Sequence, residues 1–223
     1  MLRTPEPELM LAPEQAEAYA GTDFSETDDR FIQRFGQLFG PEFVGEVLDL
    51  GCGPGNIALR IVQTFPECSV TGVDGSPAML AIARKRASAL APEVAFRIRF
   101  IETLLPTAVL PMHSAGAVVS NSLLHHLHEP SVLWLTLRQV AVRRAPVLIV
   151  DLRRPETEAK AQQIVDTYAP DAPEVLRTDF YNSLLAAFEV DEVGGQLERM
   201  GLSGLQVQAV GDRHLEVFGY MPG

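Results

Sequence analysis

The sequence predicts a doubly wound α/β fold, and three observations support this prediction. First, apolar strand-like segments alternate with helix-like segments from about residue 46 to residue 152, as in successive βα units that build a parallel sheet covered by helices on both faces. Second, a turn with three alternate glycines follows the first strand. Third, residues 205–210 and 214–219 alternate in polarity around a turn and predict a closing antiparallel hairpin. We therefore expect a mostly parallel seven-stranded sheet with an antiparallel C-terminal strand.

Length and composition indicate one globular domain. The chain has 223 residues, 47% of them hydrophobic and 21% charged, which suffices for a full core. A formal net charge of −11 argues against non-specific binding to nucleic acid. The sequence shows neither a signal-peptide pattern nor an apolar segment of membrane-spanning length, and its two cysteines suggest neither a disulfide framework nor a zinc site. We expect a cytoplasmic protein, a monomer or homodimer, with no nucleic-acid or membrane partner.

Residues 1–44 are expected to form a helical segment ahead of the sheet. Residues 1–12 are expected to be weakly ordered, and helices are predicted from about residue 14 to 20 and from 28 to 39. In the second helix, apolar side chains recur at three- and four-residue steps and predict one core-facing stripe. This stripe consists of Phe31, Ile32, Phe35, Leu38 and Phe39.

The stretch from Val47 to Val62 is typical of a site for a polar or anionic ligand. A short strand, apolar except for Asp49, is followed by the glycine turn and then by the start of a helix. Glycine allows positive φ and close backbone approach, and a helix N-terminus offers free N–H groups. The spacing departs from the dinucleotide fingerprint Gly-x-Gly-x-x-Gly, because Gly55 comes one residue early and Asn56 stands in the final glycine position. A tight strand-to-helix turn without any ligand can also be glycine-rich.

The second strand is predicted to end in an acid, Asp74. This residue follows Gly51 at about the 20-residue offset at which an acid meets a ribose in nucleotide-binding βαβ units. A carboxylate can accept hydrogen bonds from both ribose hydroxyls. Ser76 and Pro77 then predict a helix start, with serine as the N-cap. Further strands are predicted at residues 94–101, 115–121 and 146–152, and further helices at 78–90, 132–144, within 153–192 and at 191–201.

The segment Leu48-Asp49-Leu50-Gly51-Cys52-Gly53-Pro54-Gly55 resembles motif I of class I S-adenosylmethionine (SAM) methyltransferases. The block Asn121-Ser122-Leu123-Leu124-His125-His126 is similar to that of small-molecule methyltransferases related to quinone-biosynthesis enzymes. The resemblance covers residues 45–152 by motif and 190–219 by topology. It implies a Rossmann-like SAM-binding domain over residues 45–223, SAM as cofactor and a small-molecule methyl acceptor. Residues 1–44 would then act as a lid over the cleft, and a helical insertion at about 153–190 would carry the acceptor site.

The same resemblance implies roles for individual residues. Asp49 and the glycine turn would hold the methionine end of the cofactor, Asp74 the ribose, and Met79 with Glu102 the adenine. Core packing explains Met79 equally well, and Glu102 stands where the family usually has Asp, so a solvated strand end is the alternative there. The implied cofactor-binding set is Asp49, Gly51, Cys52, Gly53, Asn56, Asp74, Gly75, Met79, Glu102, Thr103 and Asn121.

His125 and His126 are the candidate catalytic residues. Imidazole titrates near neutrality and can take a proton from an acceptor group, while methyl transfer by in-line displacement depends mainly on alignment. The alternative is a structural or general pocket role. A metal site of His125, His126 and His128 is not expected, because these spacings do not converge on a short helical turn and no acidic motif accompanies them.

The acceptor site is expected between the histidine block, the N-terminal segment and residues 179–188. The last segment places Phe, Tyr, Asn and Ser in series, which would suit a pocket wall, although an amphipathic helix at the sheet edge explains it as well. The expected substrate-binding residues are Tyr19, Phe24, Phe180, Tyr181 and Asn182.

Two other functions remain open at the level of sequence. A nicotinamide-dependent oxidoreductase would need a further glycine near Asn56 and an acid/base pair at the hydride site, and neither is evident. A non-catalytic SAM-binding regulatory protein would retain the same cofactor motifs without turnover.

Overall fold

The computed structural model describes residues 1–6 and 13–223 of the chain. Its strands are β1 (Gly45–Leu50), β2 (Cys68–Asp74), β3 (Ile98–Glu102), β4 (Ala117–Asn121), β5 (Pro146–Leu152), β6 (Leu205–Val210) and β7 (His214–Tyr220). Its helices are α1 (Pro13–Gly21), α2 (Ser25–Phe39), α3 (Asn56–Thr64), α4 (Pro77–Ser88), α5 (Pro92–Ala95), α6 (Ser131–Val140), α7 (Glu158–Tyr168), α8 (Glu174–Ala186) and α9 (Val190–Arg199).

The strands form one seven-stranded sheet in the order β3-β2-β1-β4-β5-β7-β6. The first five pair in parallel, whereas β7 runs antiparallel to both β5 and β6. The predicted α/β fold with an antiparallel C-terminal strand is therefore confirmed. The chain leaves β1 first towards β2 and β3 and later returns to β4 on its other side. This reversal of strand order opens a crevice at the carboxyl ends of β1 and β4.

Apolar side chains pack on both faces of the sheet and fix the helices around it. On one face, Phe31, Ile32 and Phe35 of α2 are buried as predicted, next to the α3 residue Ile61. On the other face, Trp134 of α6 is fully buried, and its indole Nε1 donates to Gln196 Oε1 at 2.8 Å. These two clusters hold the helices that flank the crevice.

Two predicted element boundaries are wrong. The third strand begins at Ile98 rather than residue 94, because Pro92 starts a one-turn helix over Pro92–Ala95 and Phe96 is 92% exposed. The apolar alternation there therefore does not correspond to a sheet face. Helix α6 ends at Val140 rather than near 144, and Ser131 lies inside its first turn, after Pro130 at the N-cap.

The expectation of weak order at the N-terminus is wrong for residues 1–6. The Thr4 N–H donates to Leu185 O at 3.0 Å, and the N-terminal ammonium donates to Glu156 O at 3.2 Å. Both partners lie more than 150 residues away in the sequence, so no local pattern predicts them. The same expectation for residues 7–12 lies outside the described residues.

Two further observations concern compartment and chemistry. No helix within residues 1–6 and 13–223 is both long and apolar enough to cross a bilayer. Cys52 and Cys68 are buried and free, as the cysteine count predicts.

Candidate functional site

A cleft of about 1410 Å³ lies at the carboxyl ends of the parallel strands. Its walls come from the glycine turn after β1, the ends of β2 and β4, the helices α1 and α2, and α8. Open α/β sheets bind their ligands at this position. The cleft brings together most of the sequence-predicted site residues: Tyr19, Phe24, Asp49, Gly51, Cys52, Gly53, Asn56, Asp74, Gly75, Met79, Thr103, Asn121, His125, His126 and Phe180.

The glycine turn needs its glycines for two different reasons. Gly51 has φ +70°, and a Cβ there would lie 2.8 Å from the Leu123 side chain, so close packing as well as conformation requires glycine. Gly53 has φ +51°, but a Cβ there would meet open space. The backbone N–H groups of Gly51 and Cys52 both donate to Val73 O, which ties the turn to β2. The turn is thus held rigidly while its tip at Gly53 stays open.

Asp74, at the end of β2, supports the turn and lines the cleft. Its Oδ2 accepts from the Gly53 N–H and its Oδ1 from the Ser76 N–H, each at 2.8 Å. Burial raises the pKa of this carboxyl group above its usual value, although these backbone hydrogen bonds oppose the shift. Each carboxylate oxygen can accept more than one hydrogen bond. The group therefore has acceptor capacity left for a ligand in the cleft.

Asp49, near the end of β1, is the most unusual acid of the site. It is 1% exposed, and its Oδ2 has no hydrogen-bond partner among residues 1–6 and 13–223. Burial, reinforced by the charge of Asp74, raises its pKa to about 8. A buried acceptor without a partner is costly, so this oxygen is suited to a cationic or hydrogen-bond-donating ligand.

Arg86 is a structural residue of the site that sequence reasoning missed. It lies in the last turn of α4, and its guanidinium donates to Asn56 Oδ1 at 2.7 Å, Pro54 O at 3.2 Å and Ala20 O at 2.6 Å. One cation thereby joins α4, the glycine turn and the end of α1. The side chain of Asn56 is positioned by this contact.

The predicted adenine end is only partly assembled at the cleft. Met79 is 5% exposed and lines the cleft while also being part of the buried core, so both interpretations of this residue apply. Thr103 lines the cleft as well, and its N–H donates to Asp74 O at 3.0 Å. Glu102 pairs with Asp74 in register, but its side chain is exposed on the edge strand β3 and is not among the residues that line the cleft. The structure therefore gives no support to an adenine contact by Glu102.

His125 is buried against an acid at the end of the neighbouring strand. Its Nδ1 lies 2.6 Å from Asp151 Oδ1, and Asp151 Oδ2 accepts from the Leu124 N–H at 2.6 Å. Burial lowers the pKa of His125, but the charge and hydrogen bond of Asp151 outweigh burial and raise it overall. Burial likewise opposes ionisation of Asp151, yet His125 holds the pKa of this carboxyl below its usual value. His125 is thus a buried imidazole that Asp151 holds in one orientation.

His126 is the more accessible of the two histidines, and an acid from the N-terminus approaches it. Glu6 Oε1 lies 3.1 Å from His126 Nδ1 and 3.6 Å from His125 Nε2, and it accepts from Ser183 Oγ at 2.9 Å. The expectation that no acid accompanies the histidines is wrong, because Glu6 and Asp151 both do. Asp151 lies near the end of a predicted strand, and parallel sheets place their binding residues at strand ends. The sequence therefore does indicate the position of Asp151. Glu6 lies too far along the chain for any local pattern to reveal its position.

Arg3 holds the N-terminal residues against this histidine block. Its guanidinium donates to His125 O and Leu127 O, each at 2.9 Å, and to Ala186 O at 2.5 Å. It also lies 4.0 Å from the centroid of the Phe188 ring. We refer to residues 1–6 as the N-terminal strap, since they join α8 to the histidine turn.

Helix α8 presents only part of its predicted set to the cleft. Phe180 lines the cleft together with Asp179 and Ser183, whereas Tyr181 packs into a separate apolar cluster and Asn182 is exposed. Tyr181 and Asn182 are not among the residues that line the cleft, because neighbours in a helix diverge by about 100° and do not share one face. Their role as substrate contacts stays a prediction. On the opposite wall, the rings of Tyr19 and Phe24 have centroids 5.0 Å apart. Burial raises the pKa of Tyr19 to about 12, so it stays a neutral hydroxyl.

Residues 47–146 match a family described as a methyltransferase domain. The chain is similar to trans-aconitate 2-methyltransferase of Methylobacterium nodulans, with 42% identity over 80 residues, which cover 36% of this chain and 29% of that protein. For the same enzyme of Variovorax paradoxus, identity is 30% over 128 residues, covering 57% of this chain and 45% of that protein. The matches thus span less than half the length of these curated relatives.

Solved structures show the same fold over nearly the whole chain. A SAM-dependent methyltransferase from Aquifex aeolicus matches with a TM-score of 0.68 at 18% identity, covering 95% of this chain and 100% of that one. A Haemonchus contortus phosphoethanolamine N-methyltransferase 2 in complex with SAM matches with a TM-score of 0.70 at 15% identity, covering 95% of this chain and 57% of that one. Residues 47–146 therefore match the methyltransferase-domain family, and the chain as a whole shares the fold of these methyltransferase structures.

Proposed function

We propose that the chain is a SAM-dependent methyltransferase that acts on a small-molecule acceptor. The observation that carries this proposal is the pair of acids beside an open glycine turn, the buried Asp49 and the partly buried Asp74. SAM presents an ammonium, a sulfonium and two ribose hydroxyls, which suit two carboxyl groups that can accept hydrogen bonds or ionise against a cation. The pyrophosphate of a nicotinamide dinucleotide would offer these acids neither a donor nor a positive charge, so the oxidoreductase alternative is not favoured.

The residues of the cleft fit the parts of this cofactor. The unpaired Oδ2 of Asp49 would accept from the ammonium, and Asp74 would accept from the ribose hydroxyls. Gly53 leaves open space at the turn for close approach, while Met79 and Thr103 would line the adenine end. When bound, the sulfonium supplies an already activated methyl group. The protein then has to align the acceptor, exclude water and, for a protic acceptor, take up a proton.

The acceptor would occupy the part of the cleft beyond β4. Tyr19 and Phe24 provide an aromatic wall, Phe180 faces the cleft from α8, and His126 lines it from the histidine turn. His126 rather than His125 is the proposed proton acceptor or orienting group, because His125 is 3% exposed and already paired with Asp151. The net charge of −11 favours a small acceptor over nucleic acid, and two free cysteines favour the cytoplasm.

The test is methyl transfer from SAM across a panel of acceptors. The panel includes trans-aconitate, the substrate named in the relatives, together with other carboxylic acids, phenols and amines, and S-adenosylhomocysteine is measured as product. We expect acceptor-dependent product, and we expect His126→Ala to slow transfer by about 10²-fold while leaving SAM binding intact. Tight SAM binding without product from any acceptor class would favour the non-catalytic SAM-binding alternative.

A further inference from the structure

Three potential metal-ligand atoms converge beside the acceptor part of the cleft. They are Glu6 Oε1, His125 Nε2 and His126 Nδ1, and all lie within 4.8 Å of one another. The carboxylate oxygen is 3.1 Å from the His126 nitrogen and 3.6 Å from the His125 nitrogen. One comes from the N-terminal strap and two from the turn after β4, so the fold itself brings the set together.

Glu6 lies at ion-pair distance from both histidines, but neither contact has good hydrogen-bond geometry. His126 Nδ1 is buried and meets no hydrogen-bond criterion with any residue within 1–6 and 13–223, although Glu6 is close. The 3.6 Å separation at His125 Nε2 exceeds hydrogen-bond length. Ligands bound at about 2.1 Å lie about 3.0 Å apart when cis on an octahedral ion and about 3.4 Å apart on a tetrahedral ion. The distances from Glu6 Oε1 to the two histidine nitrogens are therefore close to those between neighbouring ligands of one ion.

The surroundings of these three atoms also suit a metal centre. Asp151 binds Nδ1 of His125 at 2.6 Å, which orients Nε2 towards Glu6 and forms the carboxylate–histidine arrangement common behind metal ligands. Ser183 Oγ donates to Glu6 Oε1 at 2.9 Å and fixes this carboxylate. Arg3 anchors the strap that carries Glu6 through three backbone carbonyls.

We propose that Glu6, His125 and His126 bind one divalent transition-metal ion of the zinc class. Two imidazoles and one carboxylate suit such ions, and three protein ligands leave a further position open for water or a ligand. His126 lines the cleft, so the open position faces it. Metal binding is independent of the proposed methyl transfer. Only the next step rests on that function: the open position would take a carboxylate or hydroxyl oxygen of the acceptor and hold it for transfer, so that metal-bound His126 would orient the acceptor rather than take its proton.

The experiment is a zinc titration of chelator-treated protein prepared without a histidine tag. Calorimetry, or competition with a chromophoric chelator, is expected to show one saturable site. Glu6→Gln and His126→Gln should each weaken it by more than about 100-fold, beyond the 10–100-fold typical of losing an outer-shell partner. His113→Gln is the matched control, because His113 contacts Ala141 O away from this cluster. Cobalt in place of zinc should give a visible absorption spectrum that Glu6→Gln abolishes.

A parallel titration of the same metal-free protein with S-adenosylhomocysteine separates the two proposals and reports folding of the variants. The metal proposal is overturned if the wild-type chain has no stoichiometric zinc site, or if both variants bind zinc as the wild type does. If the protein binds S-adenosylhomocysteine but does not bind zinc, only the metal-site proposal is rejected. If the protein binds zinc but does not bind S-adenosylhomocysteine, the metal-site proposal is supported and the proposed cofactor is rejected.

Discussion

Among single residues, Asp49 combines an acidic group with nearly complete burial. Its pKa of about 8 lies far above the ordinary value, chiefly because burial disfavours the charged form. Between the ordinary pKa and about 8, the unfolded chain binds fewer protons at this position than the folded one. The contribution of Asp49 to stability therefore falls as pH rises through this range. Such a cost is reasonable where a ligand later supplies the missing positive charge.

We predict that Asp49→Asn stabilises the ligand-free protein and weakens cofactor binding. At pH 8 the free energy of unfolding should rise by about 1–3 kcal/mol, because the amide cannot be deprotonated. Affinity for S-adenosylhomocysteine should fall by about 10–100-fold, because the charged partner of the ammonium is lost. Denaturant unfolding at pH 5 and pH 8, with calorimetry, measures both effects.

The exposed Asp191→Asn is a suitable control for that substitution, because Asp191 lies in α9 and is not among the residues that line the cleft. A stability gain at pH 5 as large as that at pH 8 would argue against titration of Asp49 as its cause. If Asp49→Asn binds S-adenosylhomocysteine as tightly as the wild type does, Asp49 is not the partner of the ammonium group.

Residue positions were predictable where the chemistry is local in sequence. Asp49, Gly51 and Gly53 lie within one short motif, and the structure places them together at the cleft. Glu6 and Arg3 could not be predicted, because their partners are more than 100 residues away. Tyr181 and Asn182 show a different limit: adjacency along a helix does not place side chains on one face, and only Phe180 of the three lines the cleft.

Among the elements, the N-terminal strap links parts of the fold that are distant in sequence. Arg3 donates to carbonyls of the histidine turn and of α8, and Glu6 bonds Ser183 of α8. These contacts close one side of the acceptor region. The strap is held by a few polar contacts rather than by a large apolar face, so its stability depends strongly on Arg3.

We predict that Arg3→Met releases the strap. Loss of three charge-assisted hydrogen bonds should lower the free energy of unfolding by about 1–3 kcal/mol, which corresponds to about 3–10 °C in Tm for a chain of this size. Backbone amides at 124–127 should exchange hydrogen faster, because the carbonyls of this turn lose their partner. Hydrogen exchange with mass spectrometry, together with thermal unfolding, tests this.

Arg143→Met, at an exposed position, controls for loss of a surface charge. Unaltered exchange at the histidine turn in the Arg3 variant would show that the strap does not hold that turn.

Strands could be predicted from the sequence where the hydrophobic periodicity and the turn-forming residues indicate the same boundaries. The strands β1, β2 and β5 and the hairpin of β6 and β7 match their predicted positions to within two residues, because each combines apolar residues with clear glycine, proline or acidic ends. The third strand was misplaced because Pro92 nucleates a helical turn in front of it. Local alternation at Val94 and Phe96 could not show that Phe96 is exposed while Val94 packs against the core from a helical turn.

At the scale of the whole molecule, the two halves of the cleft are built differently. The cofactor half comes from β1, β2 and the glycine turn, which are close in sequence and carry recognisable motifs. The acceptor half combines α1, the histidine turn and α8, which only the tertiary fold brings together, and the strap contacts the last two. The sequence therefore predicts a cofactor but leaves the acceptor open.

The central claim is that the cleft binds SAM through Asp74 and its neighbours, and one titration tests it most directly. Calorimetric titration of the full chain with S-adenosylhomocysteine should give one site of micromolar affinity, and Asp74→Ala should weaken it by about 5–150-fold, equivalent to about 1–3 kcal/mol. NADH under the same conditions should not bind. A folded protein that fails to bind S-adenosylhomocysteine, or that binds it equally well without the Asp74 carboxylate, would contradict the account.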